Sequence, residues 1–440
     1  MSSMIIRKSS PEIIRPAGPE MTPSTIDLSS LDKDFGAMPA TCFLVFDHGV
    51  DKPVETIKRG LSRALVFYYP IAGRLAAGDG GGEVRVLCNG EGVVFVEARA
   101  DCALKDARFY DTSSGASATS LLPDDLAVYF ADDTCRRTDP LLLVQVTAFA
   151  CGGFVVGATW NHAIADGVGM AQFLQAVGEL ASGLPAPSVA PVRRDGSLPG
   201  LPPDVAYAQQ SMTGLAPRDF ACFDYTVPSS TIDGIKAEFR RDHANGGGQT
   251  CTVFEAVTAA LWRCRTRAVV SDPGAPSLLL IVANVREHVG AKAGYYGNCV
   301  TGQLVVATAG SVANGPIAGV VKMIKHAKEQ IPKQFTKQET DGGGGGGGGD
   351  RMRRSGDMLL RYNYNLLVVS SRRNIGLDKV EVCGVEPVRV MCRAREPNKN
   401  VPYSVVCLPW KGKDGANMVT RCVREEHVEA FRGELTRFTT

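Results

Sequence analysis

Histidine is the side chain whose ordinary pKa, about 6.5, lets it take up and return a proton near neutral pH, and the sequence has six of them. They are His48, His162, His243, His288, His326 and His427. None stands at metal-ligand spacing from another His or Cys, so a metal site has no support. A Gly-x-Ser-x-Gly elbow and a Gly-rich Lys-Ser/Thr loop are also missing, which weakens α/β-type serine hydrolases and P-loop nucleotide enzymes. His162 is set apart by its surroundings. It lies in WNHAIADGVG, directly after the apolar run FVVGATW and directly before an amphipathic stretch. A strand-to-helix junction presents a side chain at the edge of a sheet, where a neutral imidazole serves as a general base. Asp166, four residues on, fixes the geometry of the turn or of the ring, and Gly167 and Gly169 permit a tight backbone. Short motifs recur by chance, so HxxxD on its own describes a polar turn more readily than an active site.

The elements that must hold this turn can be read from periodicity. Leu141 to Trp160 is twenty residues without a charge, long enough to span a bilayer. Cys151-Gly152-Gly153 interrupts it, however, and two strands, LLLVQVTAF and FVVGATW, joined by a glycine turn fit better than a membrane segment. After the turn, Met170, Phe173, Leu174, Val177 and Leu180 form one stripe of a helix over 168–181. Further helices are expected over 55–65, 253–267 and 317–331, and strands over 278–282, 302–307, 366–369 and 401–408. Asn89-Gly90 predicts a hairpin over 83–96. The fold class is α/β or α+β.

At 440 residues the chain exceeds what one hydrophobic core supports, so two or three domains are expected. Six prolines fall between Ser182 and Pro203, a stiff extended crossing that divides the chain into 1–181, a linker 182–210 and 211–440. Eight consecutive glycines within 341–350 form no core and read as a flexible surface loop. A formal net charge of +2 supplies no general drive toward nucleic acid or anionic membrane. Thirteen cysteines without a CxxC pair, mostly in apolar runs, read as buried thiols in a reducing compartment, and the N-terminus lacks the apolar core of a signal peptide. The expectation is a cytoplasmic protein.

The segment VQVTAFACGGFVVGATWNHAIADG resembles the hallmark region of the BAHD acyl-CoA-dependent acyltransferases of plants. LSRALVFYYPIAGRL, CNGEGVVFVEARAD, TVFEAVTAALWRCRTRA, NVREHVGAKAGYYGNCV and CLPWKGKDGANMVTRCVREEHVEAF follow in the family's order, so the resemblance covers nearly the whole chain. It implies two chloramphenicol-acetyltransferase-like domains, each a mixed sheet with helices, joined by a long crossover. It also implies a channel between them, entered by coenzyme A from one face and by the acceptor from the other. By the same resemblance His162 is the general base, no acyl-enzyme forms, and Asp166 pairs with Arg286 of NVREH to hold the turn. Acyl-CoA is then the co-substrate, a small alcohol or amine is the acceptor, no cofactor is bound, and the protein is a monomer.

The chain departs from the family at its second signature. Asp-Phe-Gly-Trp-Gly is replaced by Glu381-Val382-Cys383-Gly384-Val385, in which Glu381 keeps the carboxylate. Upstream, Ser370 is kept at a strand end, and Arg372 stands where relatives carry tryptophan or another apolar residue, a candidate substrate-channel position. Basic residues flank the glycine run: Lys322, Lys325, Lys328, Lys333 and Lys337 before it, and Arg351, Arg353 and Arg354 after it. A solvated helix face accounts for most of them. The leading function is acyl transfer from an acyl-CoA, with benzoyl or hydroxycinnamoyl as favoured donors. The altered signature motivates one alternative, a catalytically impaired homologue that binds ligands or partners. A hydrolase using His162 ranks last, for want of a nucleophile signature.

Overall fold

The computed structural model describes residues 5–19, 22–33, 35–36, 38–78, 83–107, 124–203, 205–207, 219–242, 250–336, 358–393, 401–409 and 411–439. The glycine run and Lys337, Arg351, Arg353 and Arg354 lie outside them. The first half supplies β1 (Ile6–Lys8), β2 (Glu12–Ile14), β3 (Ser24–Asp27), β4 (Pro39–Phe46), β5 (Arg74–Ala77), β6 (Val84–Cys88), β7 (Val93–Ala100), β8 (Leu142–Phe149) and β9 (Phe154–Asn161). Its helices are α1 (Ser30–Lys33), α2 (Pro53–Phe67) and α3 (Gly167–Ala181). The second half supplies β10 (Ala221–Val227), β11 (Pro276–Asn284), β12 (Val300–Thr308), β13 (Leu366–Ser371), β14 (Arg389–Cys392), β15 (Tyr403–Cys407) and β16 (Ala416–Val423). Its helices are α4 (Ser229–Asp242), α5 (Val253–Val269), α6 (Ala309–Asn314), α7 (Ile317–Thr336) and α8 (Val428–Thr439).

Two mixed sheets organise these elements, one ordered β1-β7-β8-β9-β4-β14 and the other β10-β16-β15-β13-β11-β12. On the first, alternate residues Cys42, Leu44 and Phe46 of β4 and Val156, Ala158 and Trp160 of β9 turn inward against α2 and α3. That is the period-2 pattern of a strand with one face on a helical layer. On the second, Leu279, Ile281, Leu367, Val369 and Met418 pack under α4, α5, α7 and α8. Helix α5 begins with a capping box, Thr252 with Glu255, which satisfies two otherwise orphaned backbone donors. The β8–β9 hairpin forms as expected, from Leu142 opposite Trp160 to Ala148 opposite Phe154, with Gly152 at φ 87° in the turn.

One expectation is corrected. Asn89-Gly90 closes no hairpin: Gly90 has φ 68°, in an irregular link between β6 and β7. Strand β6 pairs with β3 and β5 in a small third sheet, while β7 joins β1, β2 and β8 in the large one. A turn dipeptide supplies a local backbone preference, whereas strand partners are chosen by which faces can be buried. Residues of the stretch 211–440 also enter the first sheet. Strand β14 pairs antiparallel with β4, Cys392 opposite Cys42, and Leu377, Val380, Val382 and Val390 sit in the first sheet's core.

Helix α3 is gripped on both flanks by backbone contacts that exclude a side chain. A Cβ at Gly60 of α2 would collide with the Val177 carbonyl oxygen, and one at Gly178 of α3 with the Glu381 carbonyl oxygen. Gly178→Ala is therefore expected to push the 381–385 turn off α3 and to destabilise the protein by about 1–3 kcal/mol. Thermal unfolding would show it as a lowered Tm. An unchanged Tm would show that this contact is loose.

Candidate active site

The turn between β9 and α3 is held by its own side chains. Asn161 Nδ2 donates to the Gly36 carbonyl at 2.9 Å, and its Oδ1 accepts the Ala163 N–H at 3.0 Å. The Trp160 indole N–H reaches the Ala165 carbonyl at 2.8 Å, and the His162 N–H donates to Met38 O at 2.8 Å. Asp166 caps α3 by accepting the Gly169 N–H at 2.9 Å, as short polar residues do at helix N-termini. The glycine that the site demands is Gly169 rather than Gly167. A Cβ at Gly169 would strike the Tyr296 carbonyl oxygen, whereas one at Gly167 would meet only the Ile375 side chain at 3.1 Å.

The His162 ring stacks on Phe35, centroids 4.5 Å apart, and its Nδ1 lies 3.0 Å from Asn298 Oδ1. Asn298 Nδ2 contacts two acceptors, Asp32 Oδ1 at 2.9 Å and the His162 carbonyl at 2.8 Å, so the amide nitrogen must point that way. The atom facing the imidazole is then a carbonyl oxygen, which only accepts. The proton therefore resides on Nδ1, and Nε2 carries the basic lone pair. Asp32, fully buried, also takes the Asn298 N–H at 2.9 Å and the Ser29 hydroxyl at 2.7 Å. Arg193 neutralises it at 3.1 Å and reaches on to the Ala163 carbonyl at 3.2 Å. Burial alone pushes the Arg193 guanidinium down, but the Asp32 carboxylate more than offsets this and leaves it raised.

Asp166 and Arg286 meet in a two-pronged pair, Nη1–Oδ2 and Nη2–Oδ1 both at 2.8 Å. The Cys299 N–H donates to Asp166 Oδ2 at 3.0 Å, and Arg286 Nη2 donates to the Gly297 carbonyl at 2.7 Å. The aspartate is thus engaged with the turn and the second sheet. Burial pushes the Cys299 thiol up to about 12, so no thiolate nucleophile stands beside Asn298.

The other expected positions lie elsewhere. The Glu381 backbone N–H meets Gln175 Oε1 of α3 at 3.3 Å, and the carboxylate is exposed. Cys383 (φ 49°) and Gly384 (φ 82°) form a tight two-residue turn in which Val382 and Val385 exchange backbone hydrogen bonds and Val382 is buried. The altered signature therefore packs against α3, away from His162. Ser370 Oγ pairs with the Tyr403 hydroxyl at 2.6 Å, and Arg372 Nη1 donates to the Thr41 carbonyl at 3.0 Å. Of the basic residues on α7, Lys328 binds Glu255 at 2.6 Å and Lys325 the Thr250 carbonyl at 3.1 Å, both structural uses. Sequence reasoning missed Asn298, Asp32 and Arg193. Asn298 stood in the quoted GYYGNCV segment, Arg193 was absorbed into the proline-rich linker, and Asp32 carried no signal.

The profile of the Transferase family matches residues 4–437. Acyl transferase 15 of Oryza sativa subsp. japonica is 39% identical, covering 99% of this chain and 99% of its own. Benzyl alcohol O-benzoyltransferase of Nicotiana tabacum is 33% identical over 76% of this chain and 74% of its own. A myricetin 3-O-glucosyl 1,2-rhamnoside 6'-O-caffeoyltransferase of Crocosmia x crocosmiiflora is 30% identical over 99% and 100%. Among solved structures, vinorine synthase superposes with a TM-score of 0.71 at 19% identity, covering 99% of this chain and 98% of that one. TRI101 of F. sporotrichioides, complexed with coenzyme A and T-2, gives 0.67 at 16% identity, with 94% and 98% covered. At these identities the structures establish the fold.

Removing either partner of the Asp166–Arg286 pair strands a charge that is largely out of water. Asp166→Ala and Arg286→Ala are each expected to cost about 3–5 kcal/mol of stability, with the double variant losing little more than either single. Denaturant unfolding of the three variants checks this, and additive losses would show that the residues act separately.

Proposed function

The chain belongs to the Transferase family of plant acyl-CoA-dependent (BAHD) acyltransferases, with acyl-CoA as co-substrate, and from that premise we propose that His162 is the general base for acyl transfer to a small-molecule hydroxyl. The observation that carries the reading is the Asn298 carbonyl on Nδ1, which leaves the lone pair on Nε2. The acceptor O–H gives its proton to Nε2 as the oxygen attacks the thioester carbonyl. The tetrahedral intermediate collapses with coenzyme A thiolate as leaving group, and the imidazolium returns the proton to it. No acyl-enzyme is formed. General-base catalysis contributes about 10²–10⁴ in rate, and positioning and charge stabilisation supply the rest.

Asp166 and Arg286 act here as positioning residues, and Asn298, fixed in turn by Asp32, sets the tautomer. The relatives named as benzoyl- and caffeoyltransferases acting on oxygen support an aromatic donor and O-acylation. Thiols throughout the chain support a reducing, cytoplasmic setting, and we take the protein to act as a monomer. No helix of the described residues is long and apolar enough to cross a membrane. The impaired-homologue reading draws no support from the altered signature, whose turn fills its place against α3.

The test is a panel of benzoyl- and hydroxycinnamoyl-CoA with small alcohols, read by release of free coenzyme A. His162→Ala is expected to lower kcat by roughly 10²–10⁴ while the protein still melts cooperatively. The wild-type kcat/KM should fall on the acid side, where the imidazole protonates. Wild-type turnover by the alanine variant would overturn the assignment.

A further inference from the structure

Arg372 is the seam residue that the proposed chemistry leaves without a task. It continues the row Leu366, Val368 and Ser370 of β13, whose alternates Leu367 and Val369 face the helical layer. Its N–H donates to Val406 O at 2.8 Å, and Nη1 crosses to the first sheet, to Thr41 O at 3.0 Å. The other buried or largely buried arginines of the seam each pair with a carboxylate: Arg193 with Asp32, Arg286 with Asp166 and Arg389 with Asp224. Arg372 has none among the described residues.

The ionisable groups close enough to act on it are the thiols of Cys392, Cys42 and Cys407 and the Tyr403 phenol. Burial pushes the Cys42 thiol up to about 12, and a hydrogen bond with Cys392, with burial, raises Cys407. The cation thus stands among neutral groups. A guanidinium has five donors, and among the described residues one carbonyl, that of Thr41, accepts from it. The residue as a whole is half-buried, with its guanidinium deep between the sheets. The donors beyond Nη1 have no protein acceptor among the described residues and are left for a ligand that enters there. A charge so placed, without a counter-ion, favours an incoming anion, and the fork matches a carboxylate.

Thr41 lies three residues along β4 from Met38, whose carbonyl holds the His162 backbone, a separation on the order of 10 Å. We propose that Arg372 binds a carboxylate carried by one of the two substrates and so selects acidic over neutral substrates. The proposal rests on the reading of the seam as the site of acyl transfer.

The test compares matched substrates. With benzoyl-CoA as donor, 4-(hydroxymethyl)benzoate is set against benzyl alcohol; with benzyl alcohol as acceptor, malonyl-CoA is set against propionyl-CoA. Wild type should favour the acidic member of one pair, and Arg372→Met should lower that preference, as a ratio of kcat/KM, by roughly ten- to hundredfold. Arg372→Lys should retain part of it, and it supplies the comparison if the methionine variant fails to fold. The pair that loses its preference identifies which substrate carries the carboxylate. An unchanged ratio in both pairs overturns the proposal. So does a loss confined to the KM for every CoA thioester, which would place a coenzyme A phosphate at Arg372. Calorimetric binding of benzoate and malonate to wild type and the variants needs no turnover. If wild type releases no coenzyme A with any pair, the transferase reading fails, while anion binding weakened by Arg372→Met still upholds the carboxylate site and binding unaffected by it refutes the site.

Discussion

One carboxylate ties the two sheets together. Asp166 accepts from the Gly169 and Cys299 backbone and from both terminal nitrogens of Arg286. Those four donors come from the first turn of α3, from the segment leading into β12 and from the segment after β11, and they use the full capacity of an ionised carboxylate. The His162 turn ends on this residue, so this one buried group helps to set the position of His162 relative to the second sheet. The cost of burying its charge is met by a directly opposed guanidinium, which makes the junction specific in geometry and intolerant of losing either half.

A second set of bonds works on the imidazole itself. Asp32 lies before the first large strand, Arg193 in the proline-rich crossing and Asn298 just before β12, so three distant stretches of chain converge on one ring. The carboxylate–guanidinium pair orients an amide, and the amide orients a proton. This separates two tasks that a single aspartate performs in many histidine-based sites: Asp166 places the turn, and Asn298 chooses the tautomer.

Much of this was legible in the sequence where the signal is local. The β8–β9 hairpin, the apolar stripe of α3 and the HxxxD turn each follow from a few neighbouring residues. The 83–96 stretch was misjudged because Asn89-Gly90 reports a local backbone preference and not a partner, and β7 pairs parallel with β8 inside the large sheet. Asp32, Arg193 and Asn298 escaped notice because their meaning is their meeting, across separations of more than a hundred residues that no spacing rule spans. Family resemblance supplied the Asp166–Arg286 partnership for the same reason: no local pattern contains it.

The position of β14 has a bearing on how the chain reaches its native state. The β4 edge of the first sheet is completed by residues 389–392, and part of the α3 surface is covered by Leu377, Val380 and Val382. During synthesis the first sheet therefore waits, with one edge unpaired and apolar surface uncovered, until residues 389–392 have left the ribosome. Such an interval of exposed edge and distant closure slows folding and invites association with other nascent chains. It also couples the halves once folded, because the second cannot pull away without stripping a strand from the first. The molecule should lose both sheets together rather than one at a time.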